Sequence, residues 1–572
     1  MAQNDGADAH SAAGEARRRR RRRMVYGGAG GGLLLAAIAV YFLFFVGVVT
    51  LTVDQAMKEL STRHPRATMT LDTRTRFVNT IGNLDQTTTQ AAPPTAADAA
   101  RLAVAFVEDG PVAAALGVPK RARLVAAKPF ADPQREGFSV VRIQQFVDSV
   151  RLFGGEIAVS LRNGPSAAIS SVVAQGAEVP DIELTPAVDQ AAARTTALER
   201  YAALSADPRT RLAKATAAGP AELVVFDPAR FGMKGSAALT WHVQVGPVRM
   251  FVDAKTNRVS VAYDTRHSIR TRLTHDCNLG ADCRLVLDET GVGPPPPPPP
   301  DATRVHGDMA SAHGYFLKHF SRNGFDDATG AGGTANISSF VRIAGLNNAQ
   351  WLSDDKRFDF APGWTTLDIA AHEYTHAVIT FGPQLTYLGE PGAVNEFFAD
   401  FFAAMIERET TGVADWRIGE GVVGFSATRP IRDMQHPHNG MFDRQQPFDP
   451  ATNGGQPEHF DELVTTNDAI CASIVWPPLD NECVHFNSGI LNRAMTLAID
   501  GSGGTIPPIA REKLEQIMFR TLMLGGVTSS SGLKATASGA VLSCQQLIGP
   551  KFQIAQADCS ALGNAFAAVG LK

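Results

Sequence analysis

Two histidines lie four residues apart at His372 and His376, and Glu373 directly follows the first of them. A helix turns by about 100° per residue, so side chains at positions i and i+4 share one face and can hold one ion. The glutamate then stands beside a metal-activated water and can take its proton. Two ordinary helical histidines are the alternative interpretation. The spacing therefore predicts a metal centre that needs a third ligand.

A catalytic zinc ion takes three protein ligands and leaves one position open. A histidine six residues after His376 would serve, but Gly382 stands there. Glu396 instead offers a carboxylate in a phenylalanine-rich segment that has the pattern of a buried helix. Asp400, one turn later, can accept a hydrogen bond from the far nitrogen of a zinc histidine. A structural ion pair is the alternative for Glu396, and in either case a charge on so apolar a helix needs a partner.

Both motifs are predicted to lie on helices of a helical C-terminal half. Thr365 or Thr366 can cap the first helix, and Gly382 can end it. The segment 389–409 carries phenylalanine and methionine at helical spacing and predicts the second helix. Amphipathic segments separated by Gly, Pro and Asn loops continue to the C-terminus.

The chain before this half has a different pattern. Alternating apolar and polar residues predict strands at 137–164, broken at Gly154-Gly155 and Asn163-Gly164, and a helix at 188–204 precedes more strands up to about Asp264. The run Pro294–Pro300 predicts a stiff polyproline II spacer. The expected divisions are a basic tail 1–26, an apolar segment 27–53, two α+β modules 54–180 and 181–266, a disulfide loop with linker 267–300, and two lobes 301–382 and 383–572.

The N-terminus carries seven consecutive arginines at 17–23, followed by an uncharged apolar stretch. Residues 33–53 would span about 31 Å as a helix, which matches a bilayer core. We expect a membrane-embedded signal anchor over 27–53 with its basic side in the cytoplasm, so that the rest of the chain is exported. A cleaved signal peptide is the main alternative, and a buried soluble helix is a third.

Without those seven arginines, the formal net charge of −4 becomes −11. An acidic body argues against nucleic acid as a partner, since phosphate binding needs basic charge on a folded face. The six cysteines fall as three close pairs. In an exported chain they predict disulfides between neighbours, with buried free thiols as the alternative. The pairs are Cys277 with Cys283, Cys471 with Cys483, and Cys544 with Cys559.

Four separated segments resemble the catalytic core of the thermolysin family of zinc endopeptidases. They are NNAQW at 347–351, TYLGEPGAVNE at 386–396, IRDMQHP at 431–437 and DNECVHFNSGILNRA at 480–494. Gln350 is a departure, because the family has phenylalanine there. The resemblance covers the chain from about residue 301 to its end. It implies an α+β, two-lobed catalytic domain, with a mixed β N-lobe, a helical C-lobe and zinc in the cleft between them.

The resemblance also assigns roles outside the metal motif. It implies that Asn348 and the carbonyl of Ala349 hold the substrate backbone, and that Arg432 binds the carbonyl after the cut. Tyr387 and His485 would stabilise the oxyanion, and Asp480 would orient His485. The implied reaction is hydrolysis of internal bonds in protein and peptide substrates, with Glu373 as proton acceptor, one zinc ion and a preference for an apolar residue after the cut. Ile369 and Ile431 match positions that line the pocket for that residue.

A calcium site is implied by the same resemblance. Its ligands would be Asp368, Glu407, Asp415 and Glu420, and an oxygen-rich cluster is what calcium requires. Arg417 stands where the family's two-ion site has a glutamate. A cation there removes one ligand and repels a second ion, so we expect one calcium ion rather than two. The alternative is a solvated acidic face.

The two N-terminal modules resemble the propeptide of this family, which assists folding and inhibits the immature enzyme. We therefore expect a monomeric zymogen that is processed between Asp264 and Asp301 and is either anchored in the membrane or secreted. Two other classes stay open at this point. One is a binding protein that keeps the fold without turnover, and the other is an anchored adhesion protein whose N-terminal modules carry the function.

Overall fold

The computed structural model describes residues 51–572, apart from 73, 85, 88–95, 164–167, 206–216, 247, 265–271, 279–282, 294–295, 328–336, 354, 414, 441–454, 466–467 and 469–478. The arginine run and all but the last three residues of the predicted membrane segment lie outside this part of the chain. Within the part that is described, no helix combines the length and the apolar character needed to cross a membrane. Everything below concerns the compact unit Thr52–Lys572.

The N-terminal half is built on one mixed sheet. Its strands are β1 (Thr68–Leu71), β2 (Val78–Gly82), β3 (Gln86–Thr87), β4 (Ala122–Ala126), β5 (Phe130–Ala131), β6 (Phe138–Val147), β7 (Val150–Arg162), β8 (Ala168–Ala174), β9 (Ala221–Phe226), β10 (Ala238–Val245), β11 (Val248–Asp253) and β12 (Val259–Asp264). Its main series of neighbouring strands has the order β1-β2-β8-β7-β9-β10-β11-β12. The helices of this half are α1 (Val53–Arg63), α2 (Ala96–Glu108), α3 (Gly110–Leu116) and α4 (Gln190–Ser205).

Two expectations for this half differ from the structure. Strand β7 continues through Gly154-Gly155, where the sequence predicted a break, because it pairs with β9 at Arg151 and Leu152 and with β8 from Ile157 onwards, although its ladder with β6 shifts register at the glycines. The chain reverses instead between β6 and β7, where Asp148 has a positive φ of 50°. The two predicted modules also share a sheet, because β7 pairs in parallel with β9 at Arg151↔Val224 and Leu152↔Val225.

The C-terminal half begins with a five-stranded sheet in the order β14-β13-β15-β17-β16. The strands are β13 (Leu273–Asp276), β14 (Arg284–Leu287), β15 (Ser338–Val341), β16 (Ala349–Leu352) and β17 (Arg357–Phe360). Since β13 pairs with β15, residues 273–287 belong to this lobe and not to a linker before it. The proline run therefore connects β14 to the next helix within one lobe, where the sequence analysis expected a spacer between domains.

Helices form the rest of the molecule. They are α5 (Pro300–Phe320), α6 (Leu367–Thr380), α7 (Gly389–Thr411), α8 (Leu479–Asp500), α9 (Arg511–Met523), α10 (Leu533–Gln546) and α11 (Gln556–Ala568). A short pair of strands, β18 (Arg417–Ile418) and β19 (Arg432–Asp433), lies between α7 and α8. Helices α5 through α11 and the five-stranded sheet share one continuous apolar core. This core surrounds α6 and α7 almost completely.

Two of the predicted disulfides are confirmed. Cys277 is bonded to Cys283, and Cys544 is bonded to Cys559, which ties α10 to α11. Cys483 is also disulfide-bonded. Its predicted partner, Cys471, lies outside the described residues.

Candidate active site

Helix α6 carries the two histidines and is buried along nearly its whole length. It starts at the predicted place, after Thr366, but the hydroxyl of that threonine makes no capping hydrogen bond. The neighbouring Thr365 instead donates to Asp301 Oδ1 at 3.1 Å. Packing against α5, α7 and β16 fixes the helix, so the apolar surroundings rather than the cap determine where it lies.

Three side chains meet at the floor of the cleft. The His372 and His376 Nε2 atoms are 3.0 Å apart, and they lie 3.4 Å and 3.3 Å from the two oxygens of Glu396. Tetrahedral ligands at about 2.0–2.1 Å from zinc are separated by about 3.3 Å, so the three groups have the spacing of a zinc ligand set. Glu396 Oε2 is buried without a hydrogen-bond partner. A cation of this kind would satisfy it, so the donor set fits zinc.

The far nitrogen of each histidine has its own partner. His372 Nδ1 lies 2.8 Å from Asp400 Oδ1, and His376 Nδ1 lies 2.8 Å from Asn395 Oδ1. An acceptor at Nδ1 places the proton on that atom and leaves the Nε2 lone pair free for a metal. The structure thus places Asp400 where the sequence analysis expected it. Asn395 plays the same part for His376, although the sequence analysis did not name it.

Charge around Asp400 explains its protonation state. Burial raises the pKa of this carboxyl, but Arg432 and His372 outweigh burial and lower the pKa below its ordinary value. Arg432 donates to it from Nε and Nη2 at 2.7–3.1 Å, and Asn492 Nδ2 donates at 2.9 Å. Burial lowers the pKa of His372, and its interactions with the carboxylates of Asp400 and Glu396 raise it to about 9. Asp400 is therefore an ionised acceptor in a fully occupied network.

Two hydrogen-bond donors stand on the other side of Glu396. The Tyr387 hydroxyl donates to Glu396 Oε1 and lies 3.1 Å from His485 Nε2. Asp480 accepts from His485 twice, from Nδ1 at 2.5 Å and from the main-chain nitrogen at 2.9 Å. Burial lowers the pKa of His485, but Glu396 and Asp480 together raise it above its ordinary value. The arrangement leaves Nε2 as a donor that faces the metal ligands.

The main chain around His485 is unusual. Four consecutive residues, 480 to 483, have positive φ angles between 45° and 68°. Gln456 Nε2 donates to the carbonyl of His485 at 2.6 Å and supports the turn from outside. Gln456 was not named in the sequence analysis, because nothing in its spacing connects it to the motif.

An open strand edge lies beside the cleft. Strand β16 is the last strand of its sheet among the described residues, and only β17 pairs with it. Asn348 is exposed just before this strand, whereas Ala349 is buried. Trp351 Nε1 donates to Thr380 Oγ1 at 3.4 Å and holds the strand against α6. The free edge can accept an extended peptide as an additional strand.

Arg432 is fixed by more than its carboxylate. It lies on β19, which pairs with β18 at Ile418↔Arg432. Its side chain is 6% exposed, so it borders the cleft with little freedom. Ile369 and Ile431 are both buried in the apolar core near this strand pair. The pairing also connects the Arg432 segment to the acidic cluster described next.

Acidic side chains cluster at the end of α7. Oxygens of Glu407, Asp415 and Glu420 lie within 4.8 Å of one another. Burial, followed by repulsion from Asp368 and the other carboxylates, raises the pKa of Glu407 to about 8. Arg417 Nη1 lies 3.6 Å from Asp415 Oδ2. Oxygen donors that repel one another fit a calcium ion, and the cation of Arg417 already neutralises one of them.

Asp308 is an acidic residue of this region that the sequence analysis did not predict. Burial raises the pKa of Asp308 to about 7, and Asp368 contributes to that shift. Asp308 lies on α5, about 60 residues before Asp368, so no local pattern connects the two. Its position emerges only from the packing of α5 against α6.

Comparison with known proteins places these features in a family. The family described as "Thermolysin metallopeptidase, catalytic domain" matches residues 300–380, and "Thermolysin metallopeptidase, alpha-helical domain" matches 383–571. Neutral protease B of Bacillus subtilis (strain 168) is 31% identical over 263 residues, 43% of this chain and 41% of that protein. An extracellular metalloprotease of Pectobacterium carotovorum subsp. carotovorum is 32% identical over 246 residues, 40% of this chain and 62% of that protein.

A solved precursor of protealysin from Serratia proteamaculans aligns with 55% of this chain and 91% of its own, at 23% identity and a TM-score of 0.42. The chain spans between 41% and 44% of the length of the first curated relatives. The family matches cover the two histidines, Glu396 and every helix that positions them. Residues 300–380 and 383–571 thus match the two domains of the thermolysin metallopeptidase family.

Proposed function

We propose that this chain is the precursor of a zinc-dependent endopeptidase that hydrolyses internal peptide bonds of proteins. The observation that carries the proposal is the convergence of His372, His376 and Glu396 beside Glu373, at ligand spacing. When bound there, zinc supplies a Lewis acid that acidifies water and polarises the substrate carbonyl. The family's second metal, calcium, would be held by Asp368, Glu407, Asp415 and Glu420, and we expect one such ion.

Each polar group near the floor then has one task. Glu373 takes the proton from the attacking water and passes it to the leaving amine. Tyr387 and His485 donate hydrogen bonds to the oxygen that becomes negative, and such bonds strengthen in the transition state. Asp480 keeps His485 in the required orientation. The contacts among Tyr387, His485 and Asp480 support these roles, which come from the family resemblance and the chemistry of hydrolysis.

Substrate binding is assigned to the open edge of the N-lobe sheet. An extended peptide would pair with β16 through Asn348 and the carbonyl of Ala349, and Arg432 would hold the carbonyl after the cut. Ile369 and Ile431 would form the wall of an apolar pocket for the next side chain. We therefore expect cleavage before apolar residues.

The N-terminal half is proposed to be a propeptide. Strand β12 ends at Asp264 in one sheet, and β13 begins at Leu273 in the other. A cut within this connection would leave both sheets whole, so we expect the mature N-terminus there. N-terminal sequencing of the processed protein tests this, and a new terminus after Leu273 would contradict it. The protein would act outside the cytoplasm as a monomer.

The decisive experiment is Glu373→Gln. The variant should retain zinc, because the ligand set is intact, and should lose nearly all casein hydrolysis, because no group takes the proton. Glu409→Gln, on the same scaffold but paired with Lys318 at the surface, is the control and should keep its activity. Turnover close to the wild-type rate in Glu373→Gln would exclude the mechanism. A non-enzymatic binding or adhesion protein would instead keep its function in Glu396→Ala.

A further inference from the structure

The N-terminal half contacts the catalytic half next to Tyr387. Leu388 follows this tyrosine and has no exposed surface. Its side chain belongs to an apolar cluster whose other buried members all come from the N-terminal half: Phe153, Val224, Phe226, Phe231, Phe251 and Tyr263. Leu388 is therefore buried by the N-terminal half and not by the core of its own lobe.

The aromatic rings around Leu388 hold one another in place. Phe226 and Phe251 are stacked with centroids 3.9 Å apart, and Phe153 lies 4.9 Å from Phe251 and 5.8 Å from Phe231. Aromatic rings packed at such distances form rigid walls. The cluster, which we call the aromatic pocket, thus presents a shaped apolar site to a single leucine of the catalytic half.

A pair of glycines allows the close approach. Gly389 has a φ of +59°, and a side chain there would start 2.2 Å from the carbonyl oxygen of Phe231. Across the contact, Gly232 has a φ of +77°, and a Cβ would lie 2.7 Å from Glu390 Oε1. Any other residue at either position would be strained and would push the two halves apart.

A charge pair lies beside the aromatic pocket. Glu390 is 3% exposed, and Arg74 of the N-terminal half is its ion-pair partner among the described residues. The main-chain nitrogen of Leu533 donates to Glu390 Oε2 at 3.0 Å. Asp72 Oδ1 accepts from the main-chain nitrogen of Arg74 at 2.9 Å and fixes the loop that presents the guanidinium. The contact therefore combines shape, apolar burial and a specific charge.

Resting on the proposed zymogen, we propose that Leu388 and Glu390 form the docking point through which the N-terminal half holds the loop of Tyr387. The part of the N-terminal half that binds this docking point is the aromatic pocket together with Arg74 of this same chain. Helix α7 begins at Gly389 and carries Glu396, so the contact also fixes the start of the helix that supplies the third metal ligand. After the connection between Asp264 and Leu273 is cut, this docking point retains the N-terminal half.

The test uses the full chain with Glu373→Gln to prevent self-cleavage and with a recognition sequence for a site-specific protease inserted between Asp264 and Leu273. After cutting, the lifetime of the complex between the two halves is measured by gel filtration at successive times. Leu388→Ala should shorten that lifetime by about tenfold or more, because a buried apolar anchor is lost. Leu385→Ala, a buried leucine of the catalytic core three residues earlier, is the matched control and should leave it unchanged.

Two further variants keep the test decisive. Leu388→Met conserves volume and should retain the complex, and Glu390→Gln should shorten its lifetime even if Leu388→Ala does not fold. Lifetimes of Leu388→Ala and Glu390→Gln equal to that of the parent would overturn the proposal. In chains that keep Glu373, casein hydrolysis before and after the cut tests the zymogen separately. Activity of the uncut chain equal to that of the cut chain would refute inhibition and leave the docking result intact.

Discussion

Each metal-site histidine is fixed by a hydrogen bond on the nitrogen that faces away from Glu396. Asp400 serves His372, and the amide of Asn395 serves His376. One partner is ionised and the other neutral, so the two rings differ in basicity. A charged acceptor makes an imidazole a stronger ligand than a neutral one does. We therefore expect His372 to contribute more to metal affinity than His376.

Asp400→Asn tests the charged partner. The change removes the negative charge that orients His372 and breaks the ion pair with Arg432. Zinc affinity should fall by about 10–100-fold, as is usual when the outer partner of a ligating histidine is lost. Competition with a chromogenic chelator measures it. Glu373→Gln, which leaves the ligands and their partners intact, serves as the control, and equal zinc affinity for the two variants would contradict the argument.

Arg417→Glu tests the number of calcium ions. The arginine now lies 3.6 Å from Asp415 and occupies a place where an oxygen ligand could stand. Replacing it removes a cation and adds a carboxylate, so the stoichiometry should rise from one calcium ion to two. Isothermal titration calorimetry gives the count. Arg429→Glu, an arginine in an exposed turn, should leave it at one, and two ions in the parent protein would show that Arg417 does not exclude the second.

At the scale of elements, the sequence predicts what is local. The spacing of His372 and His376 and the phenylalanines around Glu396 predict both helices and the face that each presents, because helical periodicity is carried by neighbouring residues. Strand pairing is carried by distant residues. The continuity of β7 through Gly154-Gly155 depends on its pairing with β9 before the glycines and with β8 after them, and the place of β13 depends on β15, so neither followed from the sequence.

The candidate site divides in the same way. Asn395 lies one residue before Glu396 on α7, so the packing that brings Glu396 to the histidines also brings the Asn395 side chain to His376. Gln456 contacts His485, and Asp308 lies near Asp368. Both are far from these partners in the sequence, and no spacing rule connects them to the motif. Roles assigned through the family resemblance, such as that of Asp480, stay predictions, although its hydrogen bonds to His485 are consistent with the role.

The sheet of the N-terminal half contains an acid-sensitive histidine. His242 lies against Phe153 and Phe251, and its Nε2 is 3.1 Å from the Tyr263 hydroxyl. Burial, followed by repulsion from Arg249 and Arg151, lowers its pKa to about 3. The folded form therefore keeps this ring neutral at a pH where the unfolded chain would protonate it.

The stability that follows has a definite pH window. The contribution of neutral His242 to the free energy of unfolding is fully present above about pH 6.5, the ordinary pKa of histidine in an unfolded chain. It is lost as the pH falls towards 3, because the unfolded state binds the extra proton. The loss should be at most about 1.4 kcal/mol per pH unit. His242→Gln should flatten the dependence between pH 6 and 4 in chemical unfolding. His459→Gln, at a more exposed site, should not, and parallel curves for all three proteins would contradict the assignment.

At the scale of the whole molecule, a second contact joins the two halves. Asp132 Oδ2 lies 2.6 Å from Arg520 Nη1, and both side chains are at most 1% exposed. Gln134 donates to Gln516 at 3.0–3.1 Å, and Lys551 donates to the carbonyl of Gln134 at 3.1 Å. Burial lowers the pKa of Arg520, and Asp132 counteracts that shift. The pair is thus a buried salt bridge that crosses between the halves.

Asp132→Asn should be strongly destabilising. It leaves the guanidinium of Arg520 buried without its counter-charge, which typically costs about 3–5 kcal/mol. Urea unfolding of the uncut chain measures the loss. Arg142→Gln breaks a more exposed ion pair with Glu156 inside the N-terminal sheet and should cost much less. The double variant Asp132→Asn, Arg520→Met should recover part of the loss, and no recovery would mean that the unpaired charge is not its cause.

The parallel pairing of β7 with β9 has a consequence for activation. It joins strands β1 to β12 in a single sheet, so the loops that carry Asp132 and Arg74 and the aromatic pocket around Leu388 are parts of one body. Such a body cannot give up one of these contacts and keep the others without bending its own sheet. A population of cut chains would then contain fully covered and fully uncovered molecules with few in between, and the activity would rise in proportion to the uncovered fraction, without partly active forms.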